Sequence, residues 1–209
     1  MPSEKNVFEK SYEYYLSLVR ELPLASIASR IGVEFAEGRL HIPLFDRTFH
    51  VSSSGIAGPD GRRPSYDVSV ILSRYLLLCP EESVQGKNWV SFRDFRDSRP
   101  LHNYFAHDVE GAVAAYFSGR IDVLRQVSAA MGGYQPELEV AYDLAVQFDA
   151  LPMLPIVLLF NDAEEGFSAG CTVLFPARTE AYLDAECIAM VGAHLFGRLK
   201  KQCLQATGA

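Results

Sequence analysis

Residues 142–201 read YDLAVQFDALPMLPIVLLFNDAEEGFSAGCTVLFPARTEAYLDAECIAMVGAHLFGRLKK. Leu144, Val146 and Phe148 alternate with polar or small residues, as in a strand with one buried face. Leu154 to Phe160 is continuously apolar, which predicts a central strand buried on both faces. Asn161 to Gly166 forms an acidic turn, and Cys171 to Phe175 returns as a third strand. Such short connections favour an antiparallel meander, because a parallel neighbour needs a crossover of a dozen or more residues. Asp184 then caps a long helix whose Ile188, Val191, Leu195 and Leu199 recur at helical spacing. The stretch specifies architecture and contains no catalytic constellation.

Working toward the N-terminus, Phe8, Tyr12, Tyr15, Leu16 and Val19 mark an amphipathic helix over Val7 to Leu22. A second helix, Leu24 to Arg30, is stopped by Gly32. Leu40, Ile42 and Leu44 face one way in a strand that turns at Asp46-Arg47 into Thr48 to Ser52. Ser52 to Pro64 is rich in chain breakers and predicts a loop, after which Ser65 caps a helix over Tyr66 to Cys79. Asn88 to Phe92 predicts a short strand, and Ala106 to Phe117 and Ile121 to Met131 predict two helices separated at Gly119. The fold class is therefore α+β: an antiparallel sheet, mainly from the C-terminal half, packed against several helices. Residues 1–209 are expected to form a single domain, with the hairpin over 33–52 as a possible satellite.

A chain of 209 residues can bury about 70% of the surface its unfolded form exposes. Its 13 Phe and 10 Tyr can fill a core without disulfides. Cys79, Cys171, Cys187 and Cys203 have no clustered spacing and read as reduced, mostly buried thiols of a cytoplasmic protein. With 19 basic and 26 acidic residues the net charge is −7. That balance argues against general nucleic-acid binding, which depends on neutralising phosphates, and against an anionic membrane surface. No signal-peptide core opens the chain, and the longest apolar run, Leu151 to Phe160, is half the length of a spanning helix. A cytoplasmic location is the expectation.

Two regions carry a family resemblance. One is Val70-Ile71-Leu72-Ser73-Arg74-Tyr75-Leu76-Leu77, followed by Trp89-Val90-Ser91-Phe92-Arg93-Asp94. The other joins Leu154 to Phe160, an acidic turn, Val173-Leu174-Phe175 and Tyr182-Leu183-Asp184-Ala185-Glu186. In this order they resemble the bacterial and archaeal domain-of-unknown-function family numbered 3786. That family has no established activity, so the resemblance carries over no catalytic residue. It implies a setting in anaerobic redox or cofactor metabolism. Some members also resemble iron–sulfur proteins through an added cysteine motif, which this chain lacks. Arg74 stands where the family leads one to expect a histidine, and Pro176 where it leads one to expect an acid.

The segment 87–107 is the candidate site. It gathers Lys87, Arg93, Arg96 and Arg99, the aromatics Trp89, Phe92, Phe95, Tyr104 and Phe105, and His102 and His107. Guanidinium groups on a loop beside aromatic rings can clamp a carboxylate or phosphate. The ligand-binding set is accordingly Trp89, Arg93, Arg96, Arg99, His102, Tyr104 and His107. The plain alternative is that Asp94, Asp97 and Asp108 pair with these arginines and leave a solvated loop. His102, His107 and Asp108 match no strong metal spacing, and Cys187 and His194, seven apart on the last helix, fit an apolar stripe as well as a ligand pair. The Gly55 to Gly61 loop lacks the Lys-Ser/Thr of a phosphate-binding loop. Asp162, Glu164 and Glu165 sit at a turn where water would solvate them.

No metal or cofactor is assigned from these residues. The leading reading is a non-catalytic binding or accessory domain for a small anionic ligand or a protein partner. An enzyme with an Arg- and His-lined site in 87–107 is the competing class.

Overall fold

A computed structural model describes residues 4–206 apart from 85 and 87, with side chains from residue 8 onward. Helix α1 (Glu4–Arg20) is followed by α2 (Leu24–Ile31), which stops at Gly32 in a left-handed conformation, φ +69°. A four-stranded antiparallel sheet follows in the order β1 (Glu34–Ala36), β2 (Arg39–Leu44), β3 (Arg47–Ser52) and β4 (Gly55–Ala57). Helix α3 (Tyr66–Leu77) is buried on most sides, as its all-round apolar pattern requires. Ser65 holds the N-cap position of α3, but its hydroxyl caps no backbone amide. Val68 and Asp67 open that helix, and the Ser65 carbonyl accepts the Ser69 amide at 3.0 Å.

The second antiparallel sheet has the order β5 (Trp89–Ser91), β8 (Gly170–Pro176), β7 (Leu154–Asn161) and β6 (Leu144–Leu151). Leu154 to Phe160 forms β7, an interior strand, and Ile156 to Phe160 are buried without alternation. Between β5 and β6 lie the one-turn helix α4 (His102–Tyr104), a π-turn (Phe105–Glu110), α5 (Gly111–Phe117) and α6 (Ile121–Ala130). Helix α7 (Ala185–Ala206) closes the fold. Asp184 caps it, accepting the Cys187 amide at 2.9 Å, and Ile188, Val191, Leu195 and Leu199 are buried.

The architecture is α+β, with more strand in the N-terminal half than its alternation suggested. The expected loop over Ser52 to Pro64 contains β4, paired to β3 from Ser52↔Gly55 to His50↔Ala57. The hairpin between β2 and β3 turns at Phe45-Asp46, one residue earlier than expected, because Leu44 pairs with Arg47. Phe45 takes φ +53°, a conformation uncommon for a bulky residue. Its compensation is tertiary. The ring is buried edge-on to Phe148 and stacked on His194, and its amide donates to the Ala150 carbonyl at 2.8 Å. These contacts tie the N-terminal hairpin to β6 and α7, and one continuous cluster of buried side chains includes residues from both sheets.

Two polar brackets reinforce that union. Arg198 of α7 donates from Nε to Asp46 Oδ1 at 3.0 Å and from Nη2 to Oδ2 at 2.5 Å. One turn earlier, His194 Nδ1 lies 3.6 Å from Asp67 Oδ2 at the start of α3.

Candidate functional site

The site follows from the shortness of β5. That strand pairs with β8 only through Trp89↔Pro176, Val90↔Phe175 and Ser91↔Leu174. At Ser91 the chain turns away, because Asp94 accepts both the Ser91 amide and its hydroxyl at 2.8 Å. Strand β8 nevertheless runs on beside β7 to Asn161↔Gly170. Its vacated edge would leave an amide unsatisfied, which a buried strand does not tolerate. Glu110 fills the gap, Oε1 accepting the Val173 amide at 2.9 Å.

Glu110 reaches that position from the end of the π-turn, a local widening often found at functional sites. The Gly111 amide donates back to the Ala106 carbonyl, five residues earlier. A Cβ at Gly111 would lie 3.0 Å from that oxygen, so glycine makes room for the wide turn. The turn is held by Phe105. Its ring stacks on Phe92 with centroids 4.3 Å apart and rests on α7 where Gly192 has no side chain to obstruct it.

A cleft of about 200 Å3 opens between these elements, lined by Ser91, Arg93, His102, Glu110 and Thr172 above the Phe92 and Phe105 rings. His102 is fixed by its environment. Ser98 donates its hydroxyl to the Phe95 carbonyl at 2.7 Å and meets His102 Nε2 at 2.8 Å. Ser98 Oγ thus sits between the Phe95 carbonyl and the His102 ring and holds the ring in place. Arg93 is exposed and its guanidinium forms no hydrogen bond or ion pair among the described residues. Burial raises the Glu110 carboxyl above the ordinary glutamate range, against the opposing pull of the Val173 amide and the Arg93 charge.

Of the seven expected site residues, Arg93 and His102 meet in this cleft. Trp89 lies in a separate groove of about 510 Å3 with Tyr134, Pro155, Pro176 and Arg178. Arg96 borders a third hollow, where its guanidinium stands 3.9 Å from Glu180. Arg99, Tyr104 and His107 are exposed and line none of these three. Lys87 is outside the described residues. Among the described residues no ion pair joins Asp94, Asp97 or Asp108 to these arginines: Asp94 accepts from Ser91, and Arg96 stands beside Glu180. Glu110, Ser91 and Thr172 are the cleft residues that sequence reasoning missed. A glutamate followed by glycine within an apolar helix was the one available signal for Glu110.

The remaining candidates resolve into structural parts. The Gly58 to Gly61 turn closes on itself, the Gly58 amide donating to the Arg62 carbonyl at 2.7 Å. Asp162 accepts the Gly119 amide at 2.6 Å and the Ile121 amide at 3.3 Å, and these bonds lower its pKa. Cys187 is buried beside Asp184 while His194 faces Asp67 and Phe45, so the two do not form a pair. Burial pushes up the thiol pKa of Cys79, Cys171 and Cys187. Among the described residues no group of three or more His, Cys, Asp and Glu is placed to hold a metal ion, and no helix is long and apolar enough to cross a membrane.

None of the curated proteins and none of the solved structures matches the chain. A family described as "Domain of unknown function (DUF3786)" matches residues 23–198. Those residues include both sheets, the cleft and α7 as far as Arg198, and the chain belongs to that family.

Proposed function

We propose that the chain is a non-catalytic binding or accessory domain and that the cleft at Arg93, His102 and Glu110 receives a small anion. One observation carries this reading: Arg93 lines a preformed hollow, and its guanidinium has no hydrogen bond or ion pair among the described residues. An arginine with five unused donors is suited to a carboxylate or phosphate. The volume is below the roughly 300–1,000 Å3 of drug-sized pockets, so the ligand is small. A cytoplasmic setting is supported by four cysteines that form no disulfide among the described residues and have no clustered spacing. The link to anaerobic redox or cofactor metabolism has only the family setting behind it. We further propose that the chain folds as one domain, which the shared core supports.

The test is a thermal-shift screen of acetate, propionate and inorganic phosphate against the wild type, Arg93→Ala and Arg96→Ala. An anion present at one hundred times its dissociation constant stabilises the native state by about 2.7 kcal/mol. The shift is expected in the wild type and in Arg96→Ala, and its loss is expected in Arg93→Ala. No shift in the wild type, or one that persists without Arg93, overturns the assignment and turns attention to a protein partner.

A further inference from the structure

Resting on the anion-binding reading, we infer that the ligand is a small zwitterion, an amino acid whose carboxylate meets Arg93 and whose ammonium meets Glu110. The cleft holds one cation and one anion of its own, and the two are not paired with each other: no Arg93–Glu110 ion pair forms within 4 Å among the described residues. Each charge is therefore left open to a ligand group of opposite sign.

The hydrogen bonds narrow the choice. Glu110 Oε1 is spent on the Val173 amide, whereas Oε2 has no hydrogen-bond partner among the described residues. A carboxylate oxygen can only accept, so its complement is a ligand donor. Arg93 can only donate, so its complement is an acceptor. His102 Nε2 is committed to Ser98 and Ser91 Oγ to Asp94, which leaves the two charges as the principal unmatched groups. A simple carboxylate would satisfy Arg93 and place a like charge near Glu110. A simple amine would do the reverse. A molecule with both groups on one carbon offers a partner to each, and a hollow of about 200 Å3 limits it to a short side chain. Burial of Glu110 strengthens the case, since it raises the carboxyl pKa and a ligand ammonium would offset that desolvation.

Isothermal titration at pH 7 with matched pairs tests this: glycine against acetate, and L-alanine against propionate, with ethylamine as the cation-only probe. In the wild type the amino acid is expected to bind about tenfold or more tightly than the matching acid, the usual weight of one charged hydrogen bond. Glu110→Gln keeps an oxygen for the Val173 amide and is expected to erase that preference. Acetate and propionate that bind through Arg93 as tightly as their amino-acid counterparts would overturn the zwitterion while leaving the anion site standing. A preference that survives in folded Glu110→Gln also overturns it. If none of the five compounds binds the wild type, the anion site and the zwitterion fall together. The wild-type pairs decide the question even if the Glu110 variant does not fold.

Discussion

Asp46→Ala is the most informative perturbation of the fold, because it acts where the two halves of the chain are joined. The Asp46 carboxylate accepts two hydrogen bonds from Arg198 and a third from Gln202 Nε2 at 3.2 Å. The Arg198 side chain is 10% exposed and that of Asp46 18%. Removing the carboxylate leaves a largely buried guanidinium without its counter-charge, a change that costs about 3–5 kcal/mol. The residual access of water to Asp46 places the expectation at the lower end, about 3 kcal/mol. For a chain of this size that lowers Tm by roughly 6–12 °C. Urea unfolding should be followed by far-UV circular dichroism and by fluorescence of Trp89, the single tryptophan, which sits in the other sheet at β5. Both probes should report the same lowered midpoint, because a defect in the β2–β3 turn propagates through α7 to the whole core. Asp46→Asn should be less damaging, since one acceptor oxygen remains. A Trp89 transition displaced by less than about 0.5 kcal/mol, the range of ordinary surface substitutions, would show that the hairpin is a separate satellite. Two resolved transitions would show the same.

Val157→Asp places a carboxylate inside β7 at a fully buried position and is expected to cost about 4 kcal/mol or more; a near-normal urea midpoint would contradict the interior placement of that strand. The His194–Asp67 bracket makes stability pH-dependent, because the His194 ring, 3.6 Å away, holds the Asp67 carboxyl at about 2 against an ordinary 3.8. A lowered folded pKa stabilises above the unfolded value and the benefit is lost as pH falls from about 3.8 toward about 2. Because Asp67 is nearly half exposed, solvent screening limits the contribution to about 1 kcal/mol. Acid titration of unfolding free energy should lose that increment in His194→Gln, and an unchanged acid limb would refute the pairing.

Elements with a strong local pattern were legible because burial itself writes the pattern. The run Leu154 to Phe160 is apolar since both faces of β7 are covered, and the stripe on α7 is regular since one side of that helix meets the core. The turn at Phe45-Asp46 was not legible. Local preference selects Asp46-Arg47, and only the pocket formed by Phe148 and His194 makes a left-handed phenylalanine acceptable. Strands β1 and β4 span three residues each, too few for alternation to register. At the site, residue type alone drew attention to Arg93 and His102. Glu110 depended on knowing that β5 stops at Ser91 and leaves the Val173 amide to be satisfied.

The same dependence on distant partners governs Arg74. Arg74 stands where a histidine was expected, on α3, and its Nε donates to Asp184 Oδ2 at 2.8 Å while Nη2 approaches the same oxygen at 2.6 Å. Asp184 is the cap of α7, so Arg74 secures the beginning of the helix whose Gly192 supports Phe105 beneath the cleft. A neutral histidine could donate one hydrogen bond there, whereas the guanidinium fork keeps its charge at every physiological pH. Burial alone would raise the Asp184 carboxyl, but the Cys187 amide and Arg74 outweigh it and lower its pKa. Arg74 thus holds the cap charged and the helix start fixed. Through Asp184 the Arg74 cation steadies α7, and the cleft rests its Phe105 floor on that helix.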